Sequence, residues 1–313
     1  MQNDLAPIVL FTYNRPIHTQ NLLDSLASNP ESQNSSLYVY IDGPKFEAEQ
    51  DTLNKINNVA TIIEKENRFK EIIIIKQSAN KGLAASIIEG VTYVVNKHNK
   101  VIVLEDDLIL SKFFLAYMND SLTRYENNDS IAQIGACNFF ACGEKYPNFF
   151  FLAMSECWGW ATWKNKWSHF NPNAIDLLEQ LKEKKLEVRF NAYGSYNMIG
   201  MLEDQISGKV NSWAIRWQAV CVLNNWLTLY PNPSLSQHID SNEATHAKLN
   251  IAPPLFEVSP NFEDTNIVED NNVVEAMKKG YSNSGDYYGN PVKKKLKLLK
   301  KIKLFFKKKK ERF

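Results

Sequence analysis

Four short runs of consecutive apolar residues occur in the first 104 residues, and stretches with helical periodicity separate them. The runs lie at residues 8–11, 37–41, 72–75 and 101–104. A strand that is apolar on both faces is typical of a parallel sheet covered by helices on both sides. The pattern therefore predicts an α/β fold with a mostly parallel sheet.

Polar or charged side chains follow every run. They are Thr12, Asn14 and Arg15 after the first, Asp42 after the second, Asn80 and Lys81 after the third, and Glu105, Asp106 and Asp107 after the fourth. Ligands of such sheets bind beyond the carboxyl ends of the strands. We therefore expect a binding site at this edge of the sheet.

The acidic triplet Glu105, Asp106 and Asp107 is the most informative of these groups. Adjacent carboxylates repel one another, and each must be solvated or paired. Mg²⁺ or Mn²⁺ removes that cost and also binds the phosphate oxygens of a substrate, so the triplet predicts a site for a nucleotide diphosphate. An acidic surface turn is the alternative for the triplet alone.

Two other residues of this edge also have two interpretations. Arg15 suits a cation or stacking group for a nucleotide, and it equally suits an ordinary surface position. Asp42 could accept a hydrogen bond from a base or ribose, or it could be a turn residue, since Gly43 and Pro44 follow it.

Aromatic residues are concentrated in the second half of the chain, above all in residues 139–167. Trp158, Gly159 and Trp160 could form a platform on which a sugar stacks, although clustered tryptophans also pack in protein cores. Glu203 and Asp204 could deprotonate an acceptor hydroxyl, or they could be a solvated acidic pair. His246 could bind the metal or a diphosphate, or lie at the surface.

The charge of the chain is unevenly distributed. Residues 293–313 contain eleven lysines, one arginine and one glutamate, whereas the net charge of the whole chain is +1. If this tail is helical, Leu298, Leu299, Ile302, Phe305 and Phe306 share one face. A basic helix with an apolar face predicts binding to an anionic membrane surface, and nucleic acid binding is the competing interpretation.

The N-terminal residues lack a basic region followed by an apolar segment, and no run of about 18 apolar residues occurs. The four cysteines show no metal-binding spacing, and we expect them to be reduced thiols. We therefore expect a cytoplasmic protein attached peripherally to the inner face of the cell membrane.

Four segments together resemble the nucleotide-binding segments of GT-A glycosyltransferases, most closely the N-acetylglucosaminyltransferase I type and its bacterial relatives. They are Phe-Thr-Tyr-Asn-Arg-Pro at 11–16, Tyr-Ile-Asp-Gly at 40–43, Asn-Lys-Gly-Leu-Ala at 80–84 and Glu-Asp-Asp-Leu at 105–108. The resemblance covers residues 5–250 in the right order.

The resemblance implies a Rossmann-like GT-A sheet and a set of roles. Arg15 and Asp42 would hold uracil, Glu105 and Asp106 would contact the ribose and the water shell of the metal, and Asp107 would ligate Mn²⁺ or Mg²⁺. Trp158, Gly159 and Trp160 would line the donor sugar and the acceptor, and Thr12, Asn14, Asn80 and Lys81 would complete the donor site. His246 would close over the diphosphate or bind the metal.

The sequence departs from this family at the catalytic base. Relatives carry an acid in a stretch flanked by tryptophans, but the stretch between Trp213 and Trp217 contains none. The base is therefore assigned to Asp204, with Glu203 as the second choice.

The prediction as a whole is a metal-dependent, inverting hexosyl- or N-acetylhexosaminyltransferase. It would move a sugar from a UDP-sugar to a glycan or lipid-linked acceptor in bacterial surface polysaccharide synthesis. Residues 1–250 would form the GT-A domain, with a donor half at 1–120 and an acceptor half at 121–250. Residues 251–292 would be a polar linker or loosely packed segment, and 293–313 the C-terminal basic amphipathic membrane-binding helix.

Two alternatives remain open at this point. A sugar-1-phosphate nucleotidyltransferase also uses a doubly wound sheet and a metal, but it usually needs a glycine-rich loop after the first strand, and residues 12–16 contain no glycine. A membrane- or nucleic-acid-binding protein that retains a GT-A shell without activity is the non-enzymatic alternative.

Overall fold

The computed structural model describes residues 5–239, 266–283 and 288. The strands within them are β1 (Ile8–Thr12), β2 (Ser36–Ile41), β3 (Glu71–Lys76), β4 (Lys100–Glu105), β5 (Leu108–Leu110), β6 (Ile131–Gly135), β7 (Phe149–Leu152), β8 (Trp160–Trp163), β9 (Leu227–Pro231) and β10 (Ser236–His238). The helices are α1 (Pro16–Ala27), α2 (Gln50–Lys65), α3 (Leu83–His98), α4 (Phe114–Arg124), α5 (Lys164–Trp167), α6 (Ala174–Glu183), α7 (Glu187–Phe190), α8 (Met198–Ile206), α9 (Trp213–Leu223) and α10 (Asn271–Asn283), with a short 3-10 helix at Pro30–Asn34.

Eight strands form one sheet in the order β3-β2-β1-β4-β8-β6-β9-β7. Strands β1 to β4 are parallel to their neighbours, and β6 and β9 run in the same direction as they do. Only β8 and β7 run the opposite way among these eight. The predicted mostly parallel α/β sheet is therefore confirmed, and it is consistent with a GT-A-like fold.

The apolar strands bury both of their faces. Val9 and Phe11 belong to one hydrophobic core, which also contains residues of α3, α6, α8, α9 and α10. Ile8 and Leu10 belong to a second core, which contains residues of α1, α2 and α4. Because successive side chains of a strand point to opposite faces, two covered faces require a continuous apolar run.

The third apolar run is less buried than the sequence predicted. Residues 72–75 lie in β3 and are only partly buried, because β3 is an edge strand of the sheet. A run of four isoleucines carries no signal that distinguishes an edge strand from a central one.

The loops between strands and helices contain residues that are typical of helix starts and ends. Pro16 occupies the first turn of α1, where a missing backbone N–H costs no hydrogen bond. Gly82 precedes α3 with φ of +77°, and Asn99 ends that helix in the left-handed region with φ of +65°.

The two predicted halves, 1–120 and 121–250, contribute to one sheet, since β4 pairs with β8. The predicted linker at 251–292 contains α10, whose Val273 and Met277 are fully buried against the first core. This part of the segment is therefore packed. The predicted amphipathic tail at 293–313 lies outside the described residues.

In the part of the chain that the structure describes, no helix has both the length and the apolar character to cross a membrane.

Candidate active site at the carboxyl edge of the sheet

An arginine from the loop after β1 binds two carboxylates from the loop after β4. Arg15 donates from Nη1 to Asp107 Oδ2 at 3.0 Å and from Nη2 to Asp106 Oδ1. Thr12 Oγ1 donates to Asp106 Oδ2 at 3.0 Å. Because β1 and β4 are parallel neighbours, their carboxyl ends bring these residues together. The structure thus assembles Thr12, Arg15, Asp106 and Asp107 as one cluster.

A histidine that sequence analysis did not select completes this cluster. In the small sheet formed by β5 and β10, His238 lies opposite Leu108, the residue after Asp107. The amide of Ile239 donates to the carbonyl of Asp107 at 2.8 Å, and this bond joins the backbone after His238 to the backbone of Asp107. His238 Nε2 lies 3.3 Å from Asp107 Oδ2.

The carboxylates of the triplet differ in acidity. Burial opposes ionisation of Asp107, but the hydrogen bond from His238 and the charge of Arg15 outweigh it and lower the pKa. Burial raises the pKa of Asp106, although Arg15 counteracts the shift. Burial, with the charges of Asp107 and Asp106, raises the pKa of Glu105 well above its usual value. Asp107 is therefore the carboxylate whose ionised form is favoured.

Asp42 forms a second cluster, beside the first. Its Oδ1 accepts from the amides of Gly43 at 2.9 Å and Lys81 at 2.8 Å, and its Oδ2 accepts from Asn80 Nδ2 at 2.9 Å and the amide of Gly82 at 3.0 Å. The amide of Asp42 itself donates to the carbonyl of Thr12, which links the two clusters. Both carboxylate oxygens are used to hold the loop after β3, so Asp42 is a structural residue of this edge rather than a free acceptor.

The aromatic segment before β8 divides between the site and the core. Trp158 is half-buried, and its ring centroid lies 5.0 Å from that of His238. Gly159 has φ of +87°, and a Cβ there would meet Phe114 at 3.2 Å. Trp160 is fully buried and stacks on Trp213 with centroids 4.9 Å apart. The core interpretation therefore applies to Trp160, whereas Trp158 faces the acidic cluster through His238.

The predicted base lies on α8 and has its own partners. Asp204 accepts hydrogen bonds from Lys209 Nζ at 2.7 Å and Tyr288 Oη at 2.9 Å. These bonds, led by that from Lys209, lower the pKa of Asp204. Glu203 is exposed on the same helix.

Two of the other predicted donor residues have partners of their own. Lys81 Nζ pairs with Glu89 on the surface at 2.6 Å, and Asn80 serves the Asp42 cluster. Asn14 is partly buried beside Arg15. His246 lies outside the described residues.

A second residue that was not predicted from the sequence is Glu156, a buried acid two residues before Trp158. Burial raises the pKa of Glu156 to about 7, against the opposing effect of hydrogen bonds from the amides of Trp158 and Cys157. Its position next to the aromatic segment was a usable signal. His238 had none, because its placement depends on the pairing of two strands far apart in the sequence.

The cluster brings an ionised carboxylate, an imidazole and an arginine to the carboxyl edge of a parallel sheet. This combination can bind a divalent cation and a phosphate group at adjacent positions. Among the described residues, no group of three or more His, Cys, Asp or Glu side chains could hold a metal ion. Any cation here would therefore need oxygens from a ligand or water.

No protein-family model matches the chain, and no curated protein matches it. Among solved structures, the crystal structure of S. aureus TarS is similar to 46% of this chain, with 16% sequence identity and a TM-score of 0.29. The chain spans 23% of TarS. At this TM-score the likeness has no weight for the fold or the function of this chain.

Proposed function

We propose that this chain is a metal-dependent glycosyltransferase that moves a sugar from a UDP-sugar to a hydroxyl of a glycan or lipid-linked acceptor. The observation that carries the proposal is the cluster of Arg15, Asp106, Asp107 and His238 at the carboxyl edge of the sheet. A sugar nucleotide presents a diphosphate, and its transfer requires that the charge of the leaving diphosphate be neutralised.

The residues present fit a divalent cation. Octahedral Mg²⁺ binds oxygens at about 2.1 Å, so two adjacent ligands lie about 3.0 Å apart. Asp107 Oδ2 and His238 Nε2 are 3.3 Å apart. Carboxylates suit Mn²⁺, and neutral imidazole is a common metal ligand in proteins. Asp107 and His238 would hold the ion, which would supply charge neutralisation at the diphosphate.

Arg15 would be the second cationic group of the donor site. Its side chain is 22% exposed, and its guanidinium forms hydrogen bonds with both Asp106 and Asp107. A divalent cation at Asp107 would compete with Arg15 for that carboxylate, which would leave one side of the guanidinium for a phosphate oxygen. Asp106, held by Thr12 and Arg15, would keep the arginine in place.

Transfer with inversion needs a proton acceptor. The acceptor oxygen forms a bond to the anomeric carbon as the bond to the diphosphate breaks, and the hydroxyl proton passes to a carboxylate. Asp204 and Glu203 are the proposed bases. The lowered pKa of Asp204 weakens it as a base while Lys209 and Tyr288 are bound, so these bonds would have to open during transfer.

The site of action would be the inner face of the cell membrane, with residues 293–313 bound to anionic lipid. This part of the proposal rests on the sequence of the tail alone. Liposomes of anionic lipid would retain the full chain, and a chain lacking residues 293–313 would not sediment with them. Equal sedimentation of the two proteins would contradict membrane attachment through the tail.

The experiment that tests the proposed function is release of free sugar from a panel of UDP-sugars, with water as the acceptor. We expect Mn²⁺-dependent release from at least one donor, and loss of it in Asp107→Asn. Asp51→Asn is the matched control, since Asp51 is 70% exposed on α2 and pairs with Lys55 of the same helix. Release of pyrophosphate from a nucleoside triphosphate and a sugar-1-phosphate would instead identify a nucleotidyltransferase.

A further inference from the structure

The segment from Glu156 to Gly159 lies at the same edge of the sheet as the acidic cluster. It leads directly into β8, whose first residue, Trp160, pairs with Val103 of β4 and Gly135 of β6. Because β8 runs opposite to both neighbours, its first residue lies where β4 and β6 end. The segment therefore enters the sheet between those two carboxyl ends.

The Glu156 carboxylate binds the main chain of the two residues that follow it. Its Oε1 accepts from the amide of Cys157 at 2.8 Å and from the amide of Trp158 at 2.9 Å. The residue is only 7% exposed. Trp158, held in this way, packs on His238, which in turn lies against Asp107.

The main chain of Glu156 is itself fixed to the sheet by a buried glutamine. Gln133 of β6 accepts from the amide of Glu156 at 2.7 Å and donates to its carbonyl at 2.8 Å. Gly135, two residues later, leaves room for the side chain, since a Cβ there would lie 2.9 Å from Glu156 Cβ. The main chain of Glu156 is thus fixed to β6, and its carboxylate points toward the amides of Cys157 and Trp158.

No cation of the described residues compensates the charge of this carboxylate. The titratable groups that face it are the thiols of Cys137 and Cys157 and the phenol of Tyr230 on β9, and burial is the first cause that raises the pKa of each. The pKa of Glu156 itself is raised to about 7. Glu156 therefore changes between its neutral and ionised forms near pH 7, and burial favours the neutral form in the closed loop.

We propose that Glu156 is a positioning residue of the candidate site: its carboxylate fixes the loop from Cys157 to Gly159 and thereby holds Trp158 against His238. The effect of this loop on donor binding rests on the proposed function, whereas the fixing of the loop by the Glu156 carboxylate does not. Because the closed loop buries this carboxylate, the loop is held less tightly when Glu156 is ionised than when it is protonated. Glutamine at this position can accept hydrogen bonds from the same two amides, and it does not titrate. Alanine can accept neither bond.

The test measures hydrogen exchange of the Cys157 and Trp158 amides by NMR at pH 6 and pH 8, corrected for intrinsic exchange rates. We expect protection in the parent to be about tenfold higher at pH 6 than at pH 8, because opening the loop releases to water a carboxylate whose pKa burial raises to about 7. Glu156→Gln should keep protection equal at both pH values. Glu156→Ala should lose it at both, together with the ring-current shift of Trp158 on the His238 ring protons.

Glu64→Gln is the matched control, because Glu64 is 51% exposed and pairs with Lys76 away from the loop. Unchanged protection and unchanged His238 shifts in Glu156→Ala would overturn the proposal. A second readout is the affinity for UDP with Mn²⁺, which should fall at least fivefold in Glu156→Ala and be retained in Glu156→Gln.

The two variants also distinguish the role of Glu156 in fixing the loop from the proposed function of the site. Absence of UDP binding in the parent would refute the proposed donor site, while amide exchange would still decide whether Glu156 fixes the loop. Intact protection and UDP binding in Glu156→Gln with lost sugar release would show that the carboxylate takes part in the reaction instead of positioning Trp158, and would overturn the assigned role.

Discussion

Replacing Asp42 by alanine should destabilise the protein strongly, although the residue follows a strand in a turn-like sequence. Asp42 is 8% exposed, and its two oxygens accept four hydrogen bonds of 2.8–3.0 Å. Three of the donors are backbone amides, those of Gly43, Lys81 and Gly82. Removal of the carboxylate leaves all four donors without this partner.

The size of the effect follows from which donors water can reach. A hydrogen bond to a charged group contributes about 1.5–3 kcal/mol, and a buried donor left without a partner bears the full cost. Gly43 is buried, so its amide cannot be resolvated, whereas Lys81 is exposed and Gly82 is half-buried. We count about 2 kcal/mol for Gly43 and about 1 kcal/mol for the others together, or about 3 kcal/mol in total.

Urea unfolding followed by circular dichroism measures this loss directly. The slope m should be unchanged, so that the midpoint alone reports the change in the free energy of unfolding. Asp42→Asn should lose about 1 kcal/mol, because its oxygen keeps the two bonds of Oδ1, whereas its amide nitrogen faces the two donors that bind Oδ2. The exposed Asp51→Ala should change stability by less than about 0.5 kcal/mol.

A loss below about 1 kcal/mol in Asp42→Ala would refute this reasoning. It would mean that the loop after β3 keeps its structure through contacts other than those of Asp42. The predicted loss also has a consequence for the donor site, since the same loop carries Asn80 and Lys81. Affinity for a nucleotide should therefore fall in Asp42→Ala even at temperatures where the protein stays folded.

Two further predictions concern residues that the sequence did not single out. His238→Ala should weaken binding of Mn²⁺ about tenfold, as measured from the free-ion signal in electron paramagnetic resonance, and unchanged affinity would remove His238 from the metal site. Glu156→Gln should raise stability over the parent by about 3 kcal/mol at pH 8 but only about 1 kcal/mol at pH 5.5. Burial raises the pKa of Glu156 in the folded parent to about 7, above the usual 4.5. The contribution of Glu156 to the stability of the parent is therefore fully present below pH 4.5 and is lost as the pH rises through 7. A stability difference between the two proteins that does not vary with pH would contradict the burial of this charge.

The first four strands and their order along the chain were predictable because each is a continuous apolar run. Parallel strands also have their carboxyl ends at one edge, so Arg15, Asp106 and Asp107 could be expected to meet there. The structure does bring these three together. The same reasoning did not reveal that the oxygens of Asp42 are used by the loop after β3, because that depends on the backbone conformation of Gly43 and Lys81.

The second half of the chain was less predictable for a physical reason. The order β8-β6-β9-β7 joins strands that are distant in sequence, and nothing local specifies such pairing. The tryptophans were ambiguous because a stacking platform and a core have the same composition. Burial resolves the ambiguity, since Trp160 and Trp217 are fully buried and Trp158 is not. His238 shows the same limit, because its contact with Asp107 depends on the pairing of β10 with β5.

The most direct test of the central claim is calorimetric titration of the protein with UDP, GDP and CMP, each with and without Mn²⁺. The account predicts that UDP binds only when Mn²⁺ is present, that Asp107→Asn abolishes this binding, and that Asp51→Asn retains it. Absence of metal-dependent binding for all three nucleotides would contradict a nucleotide-sugar site at Asp107 and would leave Asp106 and Asp107 as structural ion-pair partners of Arg15.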